Sequence, residues 1–200
     1  MDDGITATGA GQPRRGLCYS VGMTRKWWCA AVMALQVWAA GELSNRRAPG
    51  FSLPDVEMRQ HDLADYRGRI VLLDIMRTQC PQCVTLARTL EKVKQRYGDK
   101  VAVLSIVNPP DNLDMVRAFI RENKVTSPIL FDCGQVAASY MKATPQRPSI
   151  NVPHLFIIDA NGWIVNDYAY APANRAIFEG RALFAELDRL LAGKAGPGKK

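Results

Sequence analysis

Apolar residues along the chain form two short, nearly continuous runs, a pattern typical of β-strands that are covered on both faces. The runs are residues 69–75 and 101–107, and between them apolar side chains recur every three or four positions from Leu86 to Tyr97. Gly98 then follows as a helix stop signal, so the spacing predicts an amphipathic helix of about four turns. The order strand, helix, strand predicts a β-α-β unit with parallel strands.

The remaining pattern predicts six more elements, separated by proline and glycine breakers. The pair Asn161-Gly162, between two apolar runs, is a strong signal for a β-hairpin. Strands that alternate with helices predict an α/β fold. The six elements are a helix around Met115, Phe119 and Ile120 after the Asn108-Pro109-Pro110 breaker, a strand at 128–131, a short helix at 134–141, strands at 154–158 and 163–165, and a terminal helix at 173–191.

Composition is that of one ordinary folded domain. Among the 200 residues, 48% are hydrophobic, which is enough for a sizeable core, and 22% are charged. The net charge of +7 is spread over helical faces and termini rather than gathered into a stripe with interleaved aromatic residues. The charge distribution therefore argues against nucleic acid as a partner.

The N-terminal region has the features of a secretory signal. Residues 23–26 carry two positive charges, residues 27–39 are apolar except for Gln36, and small residues follow at 39–41. The apolar run is shorter than the ~20 residues that a membrane-spanning helix needs. Cleavage near Glu42 is therefore favoured over anchoring, although a membrane tether through an uncleaved segment stays open.

Three regions follow from these patterns. We expect an N-terminal extension and signal segment at residues 1–41, a folded domain at 42–192 and a flexible tail at 193–200. A secretory signal predicts that the protein works in the periplasm or on the extracytoplasmic face of the membrane, where cysteines can pair. Three of the five cysteines lie in the folded domain.

Two of these cysteines, Cys80 and Cys83, flank a Pro-Gln pair at the junction between the predicted strand and helix. Proline suits the first position of a helix because its missing N–H would have no partner there, which places Cys80 at the N-cap. Unpaired backbone N–H groups and the helix dipole lower the pKa of a thiol at that position. Cys80 is therefore the predicted nucleophile, and Cys83, mostly covered by the helix, would resolve a mixed disulfide.

A stabilising disulfide and a metal site are the alternative interpretations of the pair. A disulfide that closes so short a loop restricts the unfolded chain little, so it should stabilise the fold by much less than the ~3 kcal/mol expected for a loop of about 15 residues. A CxxC pair at a strand-to-helix junction in a β-α-β unit favours redox chemistry over a stabilising disulfide and over a metal site.

The segment around the pair, VLLDIMRTQCPQC at residues 71–83, resembles the active-site strand and helix of the thioredoxin superfamily. APGFSLPD at 48–55 and DYRG at 65–68 are similar to the opening of its extracytoplasmic branch, the TlpA/ResA-like and AhpC/TSA-like proteins. VPHLFIIDANG at 152–162 resembles the cis-proline strand and hairpin of that branch. The similarity covers about residues 48–192.

The resemblance implies a thioredoxin-like fold, in which helices flank a central mixed sheet, with an N-terminal extension and an insert before the cis-proline strand, here about residues 108–150. It implies thiol-disulfide oxidoreductase activity on protein thiols or disulfides, and no cofactor is expected. Cys80 and Cys83 match the redox pair. Pro153 matches the cis-proline, which would expose the backbone of Val152 to pair with a substrate strand.

Further site residues follow from the same resemblance. Gln79, Pro81 and Gln82, beside the two cysteines, would contact the substrate. Asp74, six residues before the first cysteine, occupies the position of the family's buried acid. Burial without a partner would raise its pKa toward neutrality, where it could exchange protons with the second cysteine. The alternative is an aspartate at the strand end that faces solvent.

Two departures from the family pattern bear on function. Gln79 stands directly before the first cysteine, where the family usually carries Trp, so the docking surface for a partner is altered. Peroxidases of the AhpC/TSA group need Thr three residues before their cysteine, whereas Arg77 stands three residues before Cys80. Peroxidase activity is therefore not expected.

A metal-binding module is the competing class. His154 follows Pro153 and in this fold is expected to approach the CxxC, so Cys80, Cys83 and His154 could offer a Cys₂His set suited to Cu(I). Copper chaperones with this fold typically have three residues between their cysteines, however, and a lone His on a strand is more often a packed side chain. His61 is expected in a loop.

The sequence thus favours an extracytoplasmic thioredoxin-like oxidoreductase that reduces specific protein disulfides and exchanges electrons with a membrane or periplasmic redox partner. Cytochrome c maturation is the commonest role among its relatives. Cys133 has no CxxC partner and is expected to be a small buried residue before a turn, with a third redox cysteine as the alternative.

Overall fold

The computed structural model describes residues 41–148 and 150–193. Apart from Gly41 and Gly193, the predicted signal segment and the predicted tail lie outside this part of the chain. None of the helices in the described ranges is long and apolar enough to cross a membrane.

Eight strands and five α-helices form within these ranges, with three short 3₁₀ turns between them. The strands are β1 (Arg46–Arg47), β2 (Ser52–Pro54), β3 (Gln60–Asp62), β4 (Ile70–Met76), β5 (Val101–Val107), β6 (Ile129–Phe131), β7 (His154–Ile158) and β8 (Trp163–Ala169). The helices are α1 (Pro81–Tyr97), α2 (Leu113–Asn123), α3 (Gln135–Met141), α4 (Arg175–Phe178) and α5 (Arg181–Leu191). The 3₁₀ turns are Leu63–Tyr66, Gly98–Lys100 and Pro172–Asn174.

Six strands form one mixed sheet in the order β1-β8-β7-β4-β5-β6, and β2 pairs with β3 in a separate ribbon. Strands β4, β5 and β6 are parallel, whereas β7 is antiparallel to β4 and β8, and β8 is antiparallel to β1. Helix α1 connects β4 to β5, so the predicted parallel β-α-β unit is confirmed. The predicted hairpin, the central mixed sheet and the flanking helices are confirmed as well.

Helices cover both faces of the sheet, because successive side chains of a strand point to opposite faces. On one face, Leu72 of β4 packs with Leu86 of α1 and Leu187 of α5. Helix α2 covers the same face near the carboxyl ends of the parallel strands. On the other face, Leu73 packs with Tyr140 of α3. Even-numbered residues of β4 therefore face α1, and odd-numbered residues face α3.

The C-terminal region differs from the sequence-based prediction. The apolar period predicts one helix over 173–191, but the chain forms α4 and α5, with a break at Gly180. This glycine has a φ of +98°, and a Cβ there would lie 3.0 Å from the Phe184 side chain and 3.1 Å from that of Thr89. The period continues across the break because both helices bury their apolar residues against the same face of the sheet.

Two smaller differences concern strands. Strand β8 runs on to Ala169 rather than ending at residue 165. His61, expected in a loop, lies in β3, where its ring nitrogens are 3.0 Å from Asp55 Oδ2 and 2.6 Å from Tyr66 Oη. The sequence predicted a loop at His61 because a strand of three residues is too short to show a recognisable alternation of apolar and polar side chains.

Candidate active site

The two cysteines lie where β4 ends and α1 begins, at the carboxyl edge of the central strands. Pro81 is the first residue of α1, and Cys80 is its N-cap, with an extended backbone. The backbone N–H of Cys83 donates a hydrogen bond to the Cys80 sulfur over 3.3 Å. The predicted N-cap position of Cys80 is therefore confirmed, and its sulfur faces the positive end of the helix dipole.

The two thiols differ in their access to solvent. Both are free, and Cys80 is partly exposed while Cys83 is fully buried. The Cys80 thiol also lies 3.6 Å from the amide oxygen of Gln82, to which it can donate a hydrogen bond. An incoming disulfide can therefore reach the sulfur of Cys80, whereas the sulfur of Cys83 is reached only through Cys80 or by opening of the helix.

Burial raises the pKa of the Cys83 thiol far above its ordinary value, and the nearby carboxyl group of Asp74 and a hydrogen bond with Cys80 raise it further. The side chain sits among apolar residues, which include Met76 of β4 and Val116 of α2. A negative charge on Cys83 is therefore costly unless its proton passes to a nearby acceptor.

Asp74 is a buried acid at the centre of the sheet. Its residue is fully inaccessible, and neither carboxyl oxygen has a hydrogen-bond partner among the described residues. Burial raises its pKa from 3.8 to about 8. As an even-numbered residue of β4 it faces α1, beside Ser105 and Leu155 on the neighbouring strands. The alternative of a solvent-facing aspartate at the strand end is wrong.

Pro153 precedes β7 and follows Val152 through a cis peptide bond, as the resemblance implies. Val152 is partly buried and packs against the apolar cluster that contains Cys83. The carbonyl oxygen of Pro153 accepts a hydrogen bond from the N–H of Tyr170 over 3.1 Å, which ties the loop to the end of β8. The loop before β7 and the first turn of α1 therefore meet at one edge of the sheet.

The residues predicted to contact a substrate lie on the surface around Cys80. Gln79, Pro81 and Gln82 are all exposed. Gln79 directly precedes the N-cap, and the other two residues occupy the first turn of α1. Their side chains are uncharged, so this part of the surface presents amide groups and a proline ring to a partner.

The structure does not bring His154 to the two cysteines, as the alternative Cu(I) site requires. Side chains alternate along β7, so Leu155 faces α1 while His154 points to the opposite face, where it stacks on Phe156 with ring centroids 4.5 Å apart. The His154 Nε2 atom lies 3.0 Å from a carboxylate oxygen of the buried Asp167. Among the described residues, no three His, Cys, Asp or Glu side chains are grouped so that they could hold a metal ion.

Cys133 lies after β6 and is exposed, whereas the sequence predicts a buried residue. Its neighbour Asp132 is the buried residue instead, and its carboxylate accepts a hydrogen bond from the N–H of Val136 in the first turn of α3 over 3.0 Å. Successive side chains after β6 point in opposite directions, so Asp132 is buried and Cys133 faces solvent.

One contact that the sequence did not predict reaches the turn before Cys80. The carboxylate of Asp111, in the loop after β5, accepts hydrogen bonds from the hydroxyl and the backbone N–H of Thr78. Thr78 stands two residues before Cys80, and Asp111 is buried. The only sequence signal for this pairing is that both residues follow neighbouring parallel strands, whose carboxyl ends meet at one edge.

A mixed sheet of this topology, with a CxxC pair at the start of the helix that follows its central strand, defines a thioredoxin-like thiol-disulfide oxidoreductase. Comparison with known proteins gives the same class. The chain belongs to the AhpC/TSA family, whose model matches residues 45–166.

Similar proteins carry names of this class. The thioredoxin-like protein YneN of Bacillus subtilis (strain 168) is 30% identical over 126 residues, which are 62% of this chain and 70% of YneN. The thiol-disulfide oxidoreductase ResA of Geobacillus thermodenitrificans (strain NG80-2) is 30% identical over 118 residues, 58% of this chain and 63% of ResA. A solved thiol-disulfide oxidoreductase from Bacteroides fragilis NCTC 9343 shares the fold, with a TM-score of 0.57, 19% identity, and coverage of 72% of this chain and 99% of that one.

Proposed function

We propose that this protein reduces disulfide bonds in specific protein substrates on the extracytoplasmic side of a membrane. The observation that carries the proposal is the arrangement of three groups: a partly exposed thiol at the N-cap of α1, a buried thiol in the first turn of that helix, and a buried carboxyl group that acts on the buried thiol. A structural disulfide has no need of an exposed sulfur at a helix N-terminus or of an unpaired buried acid.

In the first step, the Cys80 thiolate attacks one sulfur of the substrate disulfide. A bond forms between Cys80 and that sulfur, the substrate disulfide breaks, and the other substrate sulfur leaves as a thiolate. The N–H of Cys83, 3.3 Å from the Cys80 sulfur, and the helix dipole stabilise the attacking thiolate. The pair Val152-Pro153 and the exposed Gln79, Pro81 and Gln82 contact the substrate around the sulfur.

In the second step, Cys83 attacks the Cys80 sulfur and releases the second substrate thiolate. The substrate gains two electrons and the protein now holds a Cys80–Cys83 disulfide. Cys83 must lose its proton inside the protein, and Asp74 is the acceptor, since its pKa of about 8 allows it to ionise near neutral pH. A dithiol protein of the membrane or periplasm then returns two electrons and two protons to the pair.

The location is proposed from the N-terminal sequence. The basic segment at 23–26, the apolar run at 27–39 and the small residues at 39–41 direct the chain across the membrane. We expect a mature N-terminus within a few residues of Glu42. Intact-mass analysis of the protein from the envelope fraction tests this, and a membrane-bound species that still carries residues 23–41 would replace secretion with anchoring.

The substrate class is proposed from the resemblance to the TlpA/ResA-like branch. In cytochrome c maturation, the two cysteines of a Cys-x-x-Cys-His haem-attachment segment must be reduced before haem is added. The test compares the rates at which the reduced protein reduces an oxidised Cys-x-x-Cys-His peptide and oxidised insulin. Preference for the peptide supports the assignment, and equal or inverted rates remove it while leaving the reductase activity in place.

The direction of electron flow is tested by the reduction potential of the Cys80–Cys83 couple. A value near ~-270 mV, as in thioredoxin, supports a reductase, and a value near ~-120 mV would make the protein an oxidant. Equilibration with glutathione or dithiothreitol buffers, followed by alkylation and mass analysis of the remaining thiols, gives this value directly.

A further inference from the structure

The turn that precedes the redox pair is bound by the carboxylate of Asp111, which lies in a different loop. This turn, residues 77–80, is closed by a hydrogen bond from the N–H of Cys80 to the carbonyl oxygen of Arg77, at 3.4 Å. Asp111 adds hydrogen bonds from the Thr78 N–H, at 3.4 Å to each carboxylate oxygen, and from the Thr78 hydroxyl. Thr78 and Asp111 are 33 residues apart in sequence, so the contact joins the loop after β4 to the loop after β5.

Asp111 is itself fixed in place. It is buried, and its N–H donates to the carbonyl oxygen of Asn108 over 3.2 Å. The side-chain amide of Asn108 in turn donates to Asp132, at 2.7 Å to a carboxylate oxygen and 3.1 Å to the carbonyl oxygen. Asp132 accepts the N–H of Val136 at the start of α3. A continuous chain of hydrogen bonds therefore links α3 to the turn before Cys80.

We propose that Asp111 is a positioning residue for the redox reaction: by binding Thr78 it fixes the turn from Arg77 to Cys80 and so holds the Cys80 sulfur at the first turn of α1. The inference rests on the proposed function, because it concerns the rate at which Cys80 attacks a disulfide. Asp111 does not contact the substrate and acts through Thr78.

The physical reason is the geometry that thiol-disulfide exchange demands. The attacking sulfur must lie in line with the substrate disulfide, and a displacement of about 1 Å can cost up to about 100-fold in rate. The Cys83 N–H stabilises the Cys80 thiolate only while the sulfur stays within hydrogen-bond distance, at 3.3 Å in the structure. A turn without the Asp111 anchor samples other positions, in which both alignment and this hydrogen bond are lost.

The test uses two matched pairs of variants in the full chain. Asp111→Ala removes the anchor, whereas Asp111→Asn keeps it, because the amide oxygen accepts the Thr78 N–H and the amide nitrogen donates to the hydroxyl oxygen. Thr78→Val removes the hydroxyl at nearly constant shape, whereas Thr78→Ser retains it. Asp114→Asn, an exposed acid three residues from Asp111 in the first turn of α2, is the control for charge.

The measurement is the rate constant for mixed-disulfide formation between reduced protein and oxidised insulin, with the number of reactive thiols and the thermal midpoint recorded for each variant. Asp111→Ala should slow the reaction by roughly 10-fold or more, and Thr78→Val by several-fold, while Asp111→Asn, Thr78→Ser and Asp114→Asn stay within twofold of the parent. The double variant Thr78→Val/Asp111→Ala should be no slower than Asp111→Ala alone, because both changes break the same contact.

Loss of folded protein would expose the buried Cys83, raise the number of reactive thiols and lower the thermal midpoint, so it is separated from a change in the rate constant of folded protein. If Asp111→Ala does not fold, the Thr78 pair carries the test alone. Parent rates in both Asp111→Ala and Thr78→Val overturn the proposal, as does equal slowing in Asp111→Ala and Asp111→Asn, which would assign the effect to charge. A parent that neither forms a mixed disulfide nor reduces insulin would instead refute the proposed function.

Discussion

The buried carboxyl group of Asp74 and the buried thiol of Cys83 interact across the interface between β4 and α1, and each is shielded from water. Burial raises the pKa of Asp74 to about 8, and burial together with Asp74 raises the pKa of Cys83. A negative charge on one of them opposes a negative charge on the other, so the pair titrates as a unit. Ionised Asp74 therefore favours a protonated Cys83, and proton transfer between them leaves the total charge of the site unchanged.

Replacement of Asp74 by asparagine should slow the second step of the reaction. The amide keeps the shape of the side chain but cannot accept the Cys83 proton, so release of the substrate from the mixed disulfide should slow by about 100-fold. Attack by Cys80 should change much less, because the Asp74 carboxyl group is fully buried and acts on Cys83, whereas the Cys80 thiol is partly exposed. Rapid-quench trapping of the mixed disulfide between pH 6 and 9 measures both steps.

Asp114→Asn is the control for this experiment, since it removes an exposed carboxylate outside the site. It should release the substrate at the parent rate at every pH. If Asp74→Asn does so too, water or the departing substrate thiolate accepts the proton and Asp74 has no part in the chemistry.

The same substitution should change how stability depends on pH. The folded-state pKa of Asp74, about 8, lies above its unfolded value of 3.8, so the folded state holds a proton that the unfolded state releases between these two values. Stability from the neutral acid is fully present below pH ~4 and is lost as pH rises through ~8. The free energy of unfolding of Asp74→Asn should therefore exceed that of the parent by an amount that grows by up to about 1.4 kcal/mol per pH unit in this window.

Urea unfolding of both proteins at pH 4.5, 6 and 7.5 checks this prediction. Cys80→Ser/Cys83→Ser forms of the parent and the variant exclude disulfide formation during the measurement. A difference in unfolding free energy that is independent of pH would mean that Asp74 is already ionised in the folded protein at pH 4.5.

The three cysteines of the folded domain should respond differently to serine substitution. Cys80→Ser should abolish reduction of insulin, because Cys80 carries the only partly exposed sulfur of the pair. Cys83→Ser should accumulate a stable mixed disulfide through Cys80, visible by mass spectrometry as a covalent adduct. Cys133→Ser should keep most of the activity, since this thiol lies outside the CxxC pair. Loss of turnover in Cys133→Ser with unchanged folding would show that the two-cysteine mechanism is incomplete.

Local sequence signals predicted the parts of the site that local structure decides. Pro81 at the first helical position placed Cys80 at the N-cap, and the nearly continuous apolar run around Asp74 indicated a strand buried on both faces. The positions of Thr78 and Asp111 were not predicted, because their contact depends on how the loops after β4 and β5 dock once the sheet has formed.

The errors at His154 and Cys133 have a common cause. Both residues sit at strand ends, where the face to which a side chain points depends on register as well as on polarity. Leu155 takes the α1 side of β7, so His154 cannot approach the cysteines. Asp132 takes the buried position after β6 because its carboxylate satisfies Asn108 and the first turn of α3, which leaves Cys133 outside. Neither Asn108 nor the first turn of α3 is adjacent to Asp132 in sequence, so the sequence pattern did not reveal these hydrogen bonds.

A second carboxylate, Asp55, should control stability in acid. It is buried in the loop between β2 and β3, where burial acts to raise its pKa, but hydrogen bonds from His61 and from the backbone N–H groups of Glu57 and Arg59 outweigh this and lower the pKa from 3.8 to about 2. Because the folded-state pKa lies below the unfolded value, the contribution to stability is present above pH ~4 and is lost as pH falls through ~2. The shift corresponds to about 2 kcal/mol.

Asp55→Asn should therefore lower the free energy of unfolding by about 2 kcal/mol at pH 7, and the difference from the parent should disappear as pH approaches 2. The asparagine oxygen can still accept the Glu57 and Arg59 N–H groups, 2.8 and 3.0 Å away in the parent, so the loss reports the charge and the His61 contact rather than the turn. Asp62→Asn, a half-buried acid in the same ribbon, is the matched control: Asn can still accept the Ala64 N–H, so stability should change by less than about 1 kcal/mol. Urea unfolding from pH 2.5 to 7 checks the prediction, and an Asp55→Asn deficit that persists unchanged to pH 2.5 would show that the carboxylate charge is not its source.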